Sequence, residues 1–281
     1  MDIKIIEGPI LVFGGPYSNL QATLALKLEA ENLGIAASNI ICTGDVVAYC
    51  GDPEPTVSLI RDWGIHVVMG NCEESLAEDA DDCGCGFDEG TACSLLSNNW
   101  YQYAKAKLSV DSKQWMNTLP RSIEFNSSGC NFQCIHGSVT HINQFIFAST
   151  DQQLKADEIA LTNADIILAG HCGLPFGQQI ADKAWLNAGV IGMPANEGKE
   201  TVWYMLVSPI DGSIKASWHR LQYDVDSAQR AMRGVGLSTQ YGNALKTGLW
   251  PSLDVLPAQE QSLSGKNLDL TPLTLKIAKS S

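Results

Sequence analysis

Four short segments of this 281-residue chain carry side chains that hold metal ions well. In order they are Gly44-Asp45, Gly70-Asn71, His136-Gly137 and Gly170-His171. Each follows an apolar run of strand length. In open α/β sheets ligand sites lie at the carboxyl ends of strands, so the four loops are expected to face one crevice. One carboxylate, one amide oxygen and two imidazoles suit Mn²⁺, Fe²⁺ or Zn²⁺. Taken singly, a Gly-Asp is a turn and a Gly-His a satisfied histidine. The ordered series is what predicts a metal centre with Asp45, Asn71, His136 and His171 as ligands.

Nine cysteines are an odd number, and a chain this long needs no staples, so they read as free thiols in a reducing cytoplasm. No leader-like apolar segment follows Met1, which agrees with a cytoplasmic location. Cys50, Cys72 and Cys172 ride on the strand-end loops, while Cys83 and Cys85 fall in the irregular stretch after Asn71, with Cys93 just beyond it. Two readings stay open for these six: thiolate ligands or a redox group at the crevice, and small hydrophobes that pack well. Cys42, Cys130 and Cys134 lie in or beside strands and belong to the core. His141, just past His136, is a candidate catalytic acid within reach of the crevice. Tyr17 either stacks on substrate or packs. The acidic run at Glu73-Glu74 and 78–82 reads as a solvated face.

The elements that would position these residues alternate early in the chain. Strands are expected at 10–13, 39–42 and 65–69, with helices at 19–33 and 53–63. The first helix would bury Leu20, Leu24, Leu28 and Ala30. An irregular stretch at 73–90 precedes helices at 91–107 and 112–119. Strands follow at 132–135, 165–168, 179–184, 201–208 and 213–223, the last two flanking a hairpin turn, and 226–247 reads as helical. This order suits a sheet sandwich with helices outside. No repeat or linker divides it, so residues 1–256 read as one domain with a cap-like insertion at about 73–119, and 257–281 as a loose tail.

Hydrophobic residues make up 45% of the chain and mean hydropathy is −0.02, values of a globular protein. The apolar runs are strand-length, well short of the roughly 20 residues of a membrane helix, so no membrane association is expected. Eighteen basic against 31 acidic residues give a net charge of −13. That surface repels phosphate backbones, which excludes bulk nucleic-acid binding. A small phosphorylated substrate, a nucleotide among the options, would need a local cation to hold it. Oligomeric state is left open.

The same four loops resemble the motifs of the calcineurin-like metallophosphoesterase superfamily, and of its bacterial diadenosine-tetraphosphatase-like group. The segments that carry the resemblance are Gly44-Asp45-Val46-Val47-Ala48-Tyr49 with Asp52-Pro53, Gly70-Asn71-Cys72-Glu73, His136-Gly137-Ser138, Gly170-His171-Cys172-Gly173 and Asn187-Ala188-Gly189. It runs from about residue 10 to residue 248. The resemblance implies a four-layer α/β/β/α sandwich of two mixed sheets flanked by helices, with two metal ions that hydrolyse a phosphate ester. It places Gly15, Tyr17 and Gly173 where the family has an Asp and two His, all serving one of its two metals. Asp45, Asn71, His136 and His171 match the other metal. One ion rather than two is therefore expected. Asn71 and Cys72 fall at catalytic positions, and Tyr17 and Asn19 at the substrate. Three functions follow from this pattern: a phosphoesterase with a modified, mononuclear site; a degenerate relative that only binds; or an enzyme whose metal has a thiolate ligand.

Overall fold

The computed structural model describes residues 1–88, 90–210 and 212–275, with Lys4 as backbone alone. The chain starts with strands β1 (Asp2–Ile5) and β2 (Ile10–Phe13). Helix α1 (Leu20–Asn32), β3 (Ile40–Cys42), α2 (Pro53–Trp63) and β4 (His66–Val67) follow. Next come α3 (Asn71–Ala77), α4 (Ala92–Lys107) and α5 (Val110–Asn117). A hairpin of β5 (Ser122–Ser127) and β6 (Cys130–Ile135) leads through α6 (Gln152–Ala160) to β7 (Ile166–Ala169). Two further hairpins, β8 (Phe176–Ile180) with β9 (Lys183–Asn187) and β10 (Val202–Ile210) with β11 (Ser213–Leu221), precede α7 (Val225–Gly234) and α8 (Thr239–Thr247). Helix α9 (Ala258–Ser262) and β12 (Leu273–Leu275) complete the described chain.

The strands form two six-stranded mixed sheets, ordered β1-β5-β6-β7-β9-β8 and β12-β11-β10-β2-β3-β4. Strand alternation assigns the layers. In β2, Ile10 and Val12 point between the sheets, where they meet Phe125, Phe132 and Leu168, while Leu11 and Phe13 point outward under the helices. In β7, Ile166 and Leu168 point between the sheets and Ile167 and Ala169 toward α6. The result is the expected α/β/β/α arrangement. Strands β2, β3 and β4 run parallel to one another in one sheet, as do β6, β7 and β9 in the other.

Several local expectations differ from the structure. Helix α1 buries Ala22, Leu26 and Ala30, four residues apart, and leaves Leu24 and Leu28 49% and 58% exposed. Two alanines in that stripe allow close approach to the sheet, which the leucine spacing does not reveal. The strand expected at 179–184 is a hairpin whose turn holds Ala181 at φ +55, without the glycine that marks such turns. Strands β1 and β5 and helices α3 and α6 were not anticipated. Residues 226–247 form two helices, not one.

The segment after Pro257, expected to be loose, is ordered through Leu275, and residues 276–281 lie outside the described part. Strand β12 pairs antiparallel with β11. A buried carboxylate, Glu197, ties this segment down. It pairs with Arg220 and accepts from Trp203 Nε1 at 2.9 Å and from the Leu268 N–H at 2.9 Å. The Arg220 guanidinium also lies 4.2 Å from the Trp203 ring centre and donates to the Leu268 carbonyl. Arg220→Ala would leave Glu197 buried and unpaired, and is expected to cost roughly 3–5 kcal/mol in a denaturant melt. Burial opposes the Glu197 charge, but Arg220 and the N–H donors hold its pKa below 4.5. Its contribution is therefore present above about pH 4.5 and lost as pH falls through the lowered value.

Candidate metal centre

The four predicted ligands come from the ends of both sheets. Asp45 follows β3, Asn71 opens α3 just past β4, and His136 and His171 follow β6 and β7. Asp45 and His171 hold left-handed backbone conformations, at φ +55 and +61, so both loops turn sharply as they leave the sheet. Gly44 before Asp45 has φ +95, and a Cβ there would lie 2.8 Å from both His136 Nδ1 and the Gly70 nitrogen. The turn packs this closely against His136 and Gly70 because that position carries no side chain.

His136 Nε2 is the centre of the cluster. It lies 3.3 Å from Asp45 Oδ2, 3.0 Å from Asn71 Oδ1 and 3.1 Å from His171 Nδ1. On the other edge of the ring, His136 Nδ1 is 2.6 Å from the Thr43 carbonyl. A carbonyl only accepts, so Nδ1 carries a proton and Nε2 is the ring atom that faces the cluster. Asn71 is oriented by the same logic. Its Nδ2 donates to the Cys83 carbonyl at 2.9 Å, which aims Oδ1 at the cluster. Four acceptor atoms thus face one point and repel one another unless a proton or a cation lies among them. A tetrahedral ion with bonds of about 2.0–2.1 Å has ligand-to-ligand edges of about 3.3 Å, close to the separations seen. The donor set fits a divalent ion such as Mn²⁺, Fe²⁺ or Zn²⁺. One atom each from Asp45, His136 and His171 lies within 4.8 Å of the others.

Electrostatics agree with this fit. Burial works against the Asp45 carboxylate, but His136 and His171 keep its pKa below the usual value. Burial also works against the charged His136, and Asp45 reverses that and raises it, so without a metal a proton on Nε2 takes the place among the acceptors that a divalent ion would hold. For His171, burial and then His136 push the pKa down to about 3, so this ring stays neutral and able to ligate. Its Nε2 is buried without a hydrogen-bond partner among the described residues, under the Phe145 ring at 4.1 Å between centres.

Glu73 holds the cluster from behind, a role the sequence reading missed when it placed this residue on a solvated face. The side chain is fully buried. One carboxylate oxygen accepts the N–H of Asp45 at 2.7 Å and of Gly70 at 3.0 Å, and the other that of Val46 at 2.8 Å. It thereby joins the Asp45 loop to the start of α3, which carries Asn71. Burial and then Asp45 raise its pKa to about 7 against the pull of these donors. The signal was present: a Glu three residues past a strand-to-helix junction reaches back to the helix start.

The other three matched positions offer no comparable set. A Cβ on Gly15 would lie 2.6 Å from the Tyr17 ring and 2.8 Å from Val190. A Cβ on Gly173 would meet Trp250 at 3.3 Å and the Tyr17 hydroxyl at 4.0 Å. Aromatic rings fill the space beside both glycines. Tyr17 is buried, and burial and then Asp45 raise its pKa well above 10, which keeps the phenol protonated and a poor ligand. Tyr17 stacks edge-on against Tyr49, with centres 4.8 Å apart, and lines a cavity that reaches Asp45 and His171.

Other expectations require correction. Asn19 is not at the substrate: it caps α1 through a bond from the Ala22 N–H and donates to the Gly192 carbonyl, fully buried. His141 is exposed, bonds Thr140 Oγ1 at 2.9 Å and is not among the residues that line the cavity. Cys83 and Cys85 are not free thiols but a disulfide, with Cα atoms 5.3 Å apart. Cys50 is packed in the core with its thiol against the Gly192 carbonyl, away from the ligands. Cys72 is also buried in that core, and burial and then Asp45 push its thiol up, so it is neither a thiolate nor a ready acid; its N–H serves Asp45 Oδ1 instead. Cys85, Cys93 and Cys172 do share the cavity wall. Burial pushes Cys172 up to about 12 and raises Cys93 as well. Among the described residues, the cluster of Asp45, His136 and His171 includes no cysteine sulfur.

Comparison with known proteins bears on this geometry. A family model described as the calcineurin-like phosphoesterase superfamily domain matches residues 21–209. An uncharacterized protein of Methanocaldococcus jannaschii is 26% identical over 240 residues, covering 80% of this chain and 91% of that protein. Two solved structures share the fold. A metallophosphoesterase from Sphaerobacter thermophilus superposes with a TM-score of 0.68 at 20% identity, and a hypothetical protein from Pyrococcus horikoshii with 0.72 at 15%. Each covers 87% of this chain and 100% of its own.

Proposed function

The chain belongs to the calcineurin-like phosphoesterase superfamily, and on that premise we propose that it hydrolyses a small phosphate ester with a single divalent metal ion. The observation that carries the reading is the convergence of Asp45 Oδ2, Asn71 Oδ1 and His171 Nδ1 on His136 Nε2. A divalent ion held there supplies positive charge to a phosphate oxygen and makes its bound water a nucleophile near neutral pH. The protein does the rest. Asp45 brings one negative charge and the other three ligands none, so the loaded site is net positive within a chain of net charge −13. That local charge is what admits an anion. Thr43, Cys83 and Glu73 fix His136, Asn71 and the Asp45 loop in place through the bonds described above. Phe145 and Cys172 shield His171 from solvent. Gly15, Tyr17 and Gly173 supply no second set of donors, which supports one ion. Without a second ion, the attacking and leaving oxygens are not both clamped, and a rate lower by roughly 10²–10³-fold than a two-metal relative follows.

A second reading, binding without turnover, draws on the rings of Tyr17 and Trp250 beside Gly15 and Gly173. One assay separates the two. The rate on a nitrophenyl phosphate ester is measured while Mn²⁺, Fe²⁺ or Zn²⁺ is titrated into metal-stripped protein. The catalytic reading expects a slow rate that saturates with the metal. A rate indistinguishable from buffer under every metal would favour binding alone.

A further inference from the structure

The cavity beside Asp45 and His171 carries information about the substrate. Its walls are largely apolar and carry the six rings of Tyr17, Tyr49, Tyr241, Trp250, Phe87 and Phe145. Phe87, Phe145 and Val255 are half-buried and form its rim. Among the described residues that line it there is no lysine or arginine, and its only carboxylate is Asp45. Flat apolar groups gain most from such walls. A polyphosphate gains least: beyond the phosphate at the metal ligands, every further charge would enter without a partner.

We propose that this cavity receives the organic half of the substrate, and that the substrate is a single-phosphate ester of a flat, uncharged aromatic alcohol rather than a polyphosphate. The proposal rests on the phosphoesterase reading and narrows it. In the reaction, a water oxygen bonds to phosphorus and the bond from phosphorus to the aryl oxygen breaks. The aryl oxygen keeps the electron pair and takes up a proton released by the water, giving inorganic phosphate and the aryl alcohol.

The test uses the full chain loaded with metal, and calorimetry with 1-naphthyl phosphate, glycerol 2-phosphate and diadenosine tetraphosphate. 1-Naphthyl phosphate is expected to bind at least about tenfold more tightly than glycerol 2-phosphate, as burial of one ring implies. The tetraphosphate is expected to be the weakest of the three. Val255→Glu puts a charge at the rim and should bring the naphthyl-to-glycerol ratio near one. Ser252→Lys should raise tetraphosphate affinity, and carries the test alone if Val255→Glu does not fold. A separate arm measures 1-naphthol on metal-stripped protein, where binding is expected without any phosphate. Equal affinities for the three esters, or tightest binding of the tetraphosphate, overturn the proposal even if hydrolysis is found. Naphthol and naphthyl phosphate binding with no hydrolysis under any metal would sink the catalytic reading and leave the aromatic pocket standing.

Discussion

His171→Ala and Asp45→Ala are each expected to remove metal-dependent hydrolysis, lowering kcat/KM by roughly 10³-fold. Groups that merely support metal ligands already cost about 10–100-fold when lost, and these two are the proposed ligands themselves. Asp45 is also the only charged member of the set, so its loss takes away the charge that holds the ion. His171 is the ring that burial keeps neutral, with a pKa of about 3, so its lone pair is available at every pH where the enzyme would work. Tyr17→Phe is the contrast. Its hydroxyl is protonated and no nearer than 4.0 Å to a Cβ built on Gly173, and it donates nothing to the cluster. That change should alter the rate less than about tenfold, an effect of packing. Rates measured at saturating metal, with a metal-binding isotherm for each variant, separate loss of the ion from loss of chemistry. If His171→Ala keeps wild-type affinity and rate, the ligand assignment is wrong.

Glu73→Ala is the second large effect. The carboxylate accepts N–H groups from Asp45, Val46 and Gly70, and alanine would leave all three buried without partners. At about 1–3 kcal/mol for each orphaned donor, less what relaxation and water recover, a loss of roughly 3–5 kcal/mol is expected. The Asp45 loop would also be free to drift from Asn71, so metal affinity should fall even at temperatures where the fold survives. Glu73→Gln tests this more finely. It keeps one oxygen acceptor but turns an NH₂ toward N–H donors, so it should cost less stability than alanine while still weakening metal binding. A thermal melt with and without metal measures both. If Glu73→Ala loses stability but binds metal as the wild type does, Glu73 supports the fold and not the site.

The ligand loops were legible in the sequence because their chemistry is local. Asp45, Asn71, His136 and His171 each lie just past the carboxyl end of a strand, and such ends share one edge of the sheets. Glu73 was missed because it stands in an acidic run, and charge alone suggests a solvated face; its spacing from Gly70 said otherwise. Asn19 was misread for a similar reason, since an Asn before a helix is first of all a cap. Strand β12 was not legible because its three residues pair with β11 some sixty positions earlier, and nothing in Leu273-Thr274-Leu275 names that partner. The disulfide escaped notice because an odd number of cysteines in a long chain argues for thiols, and only proximity decides which two meet. His141 looked able to reach the crevice by its distance along the chain. In the fold, Thr140 claims its ring, and Glu158 bonds Thr140 in turn, fixing the pair on the surface.

The central claim is that one metal ion, held by Asp45, Asn71, His136 and His171, is the whole metal complement of this site. Elemental analysis of protein loaded with excess Mn²⁺ or Zn²⁺ and then desalted measures it most directly. The account predicts one ion for each chain, and close to none for His171→Ala. Two tightly held ions in the wild type would contradict it, since Gly15, Tyr17 and Gly173 would then have to be bypassed by donors elsewhere in the chain.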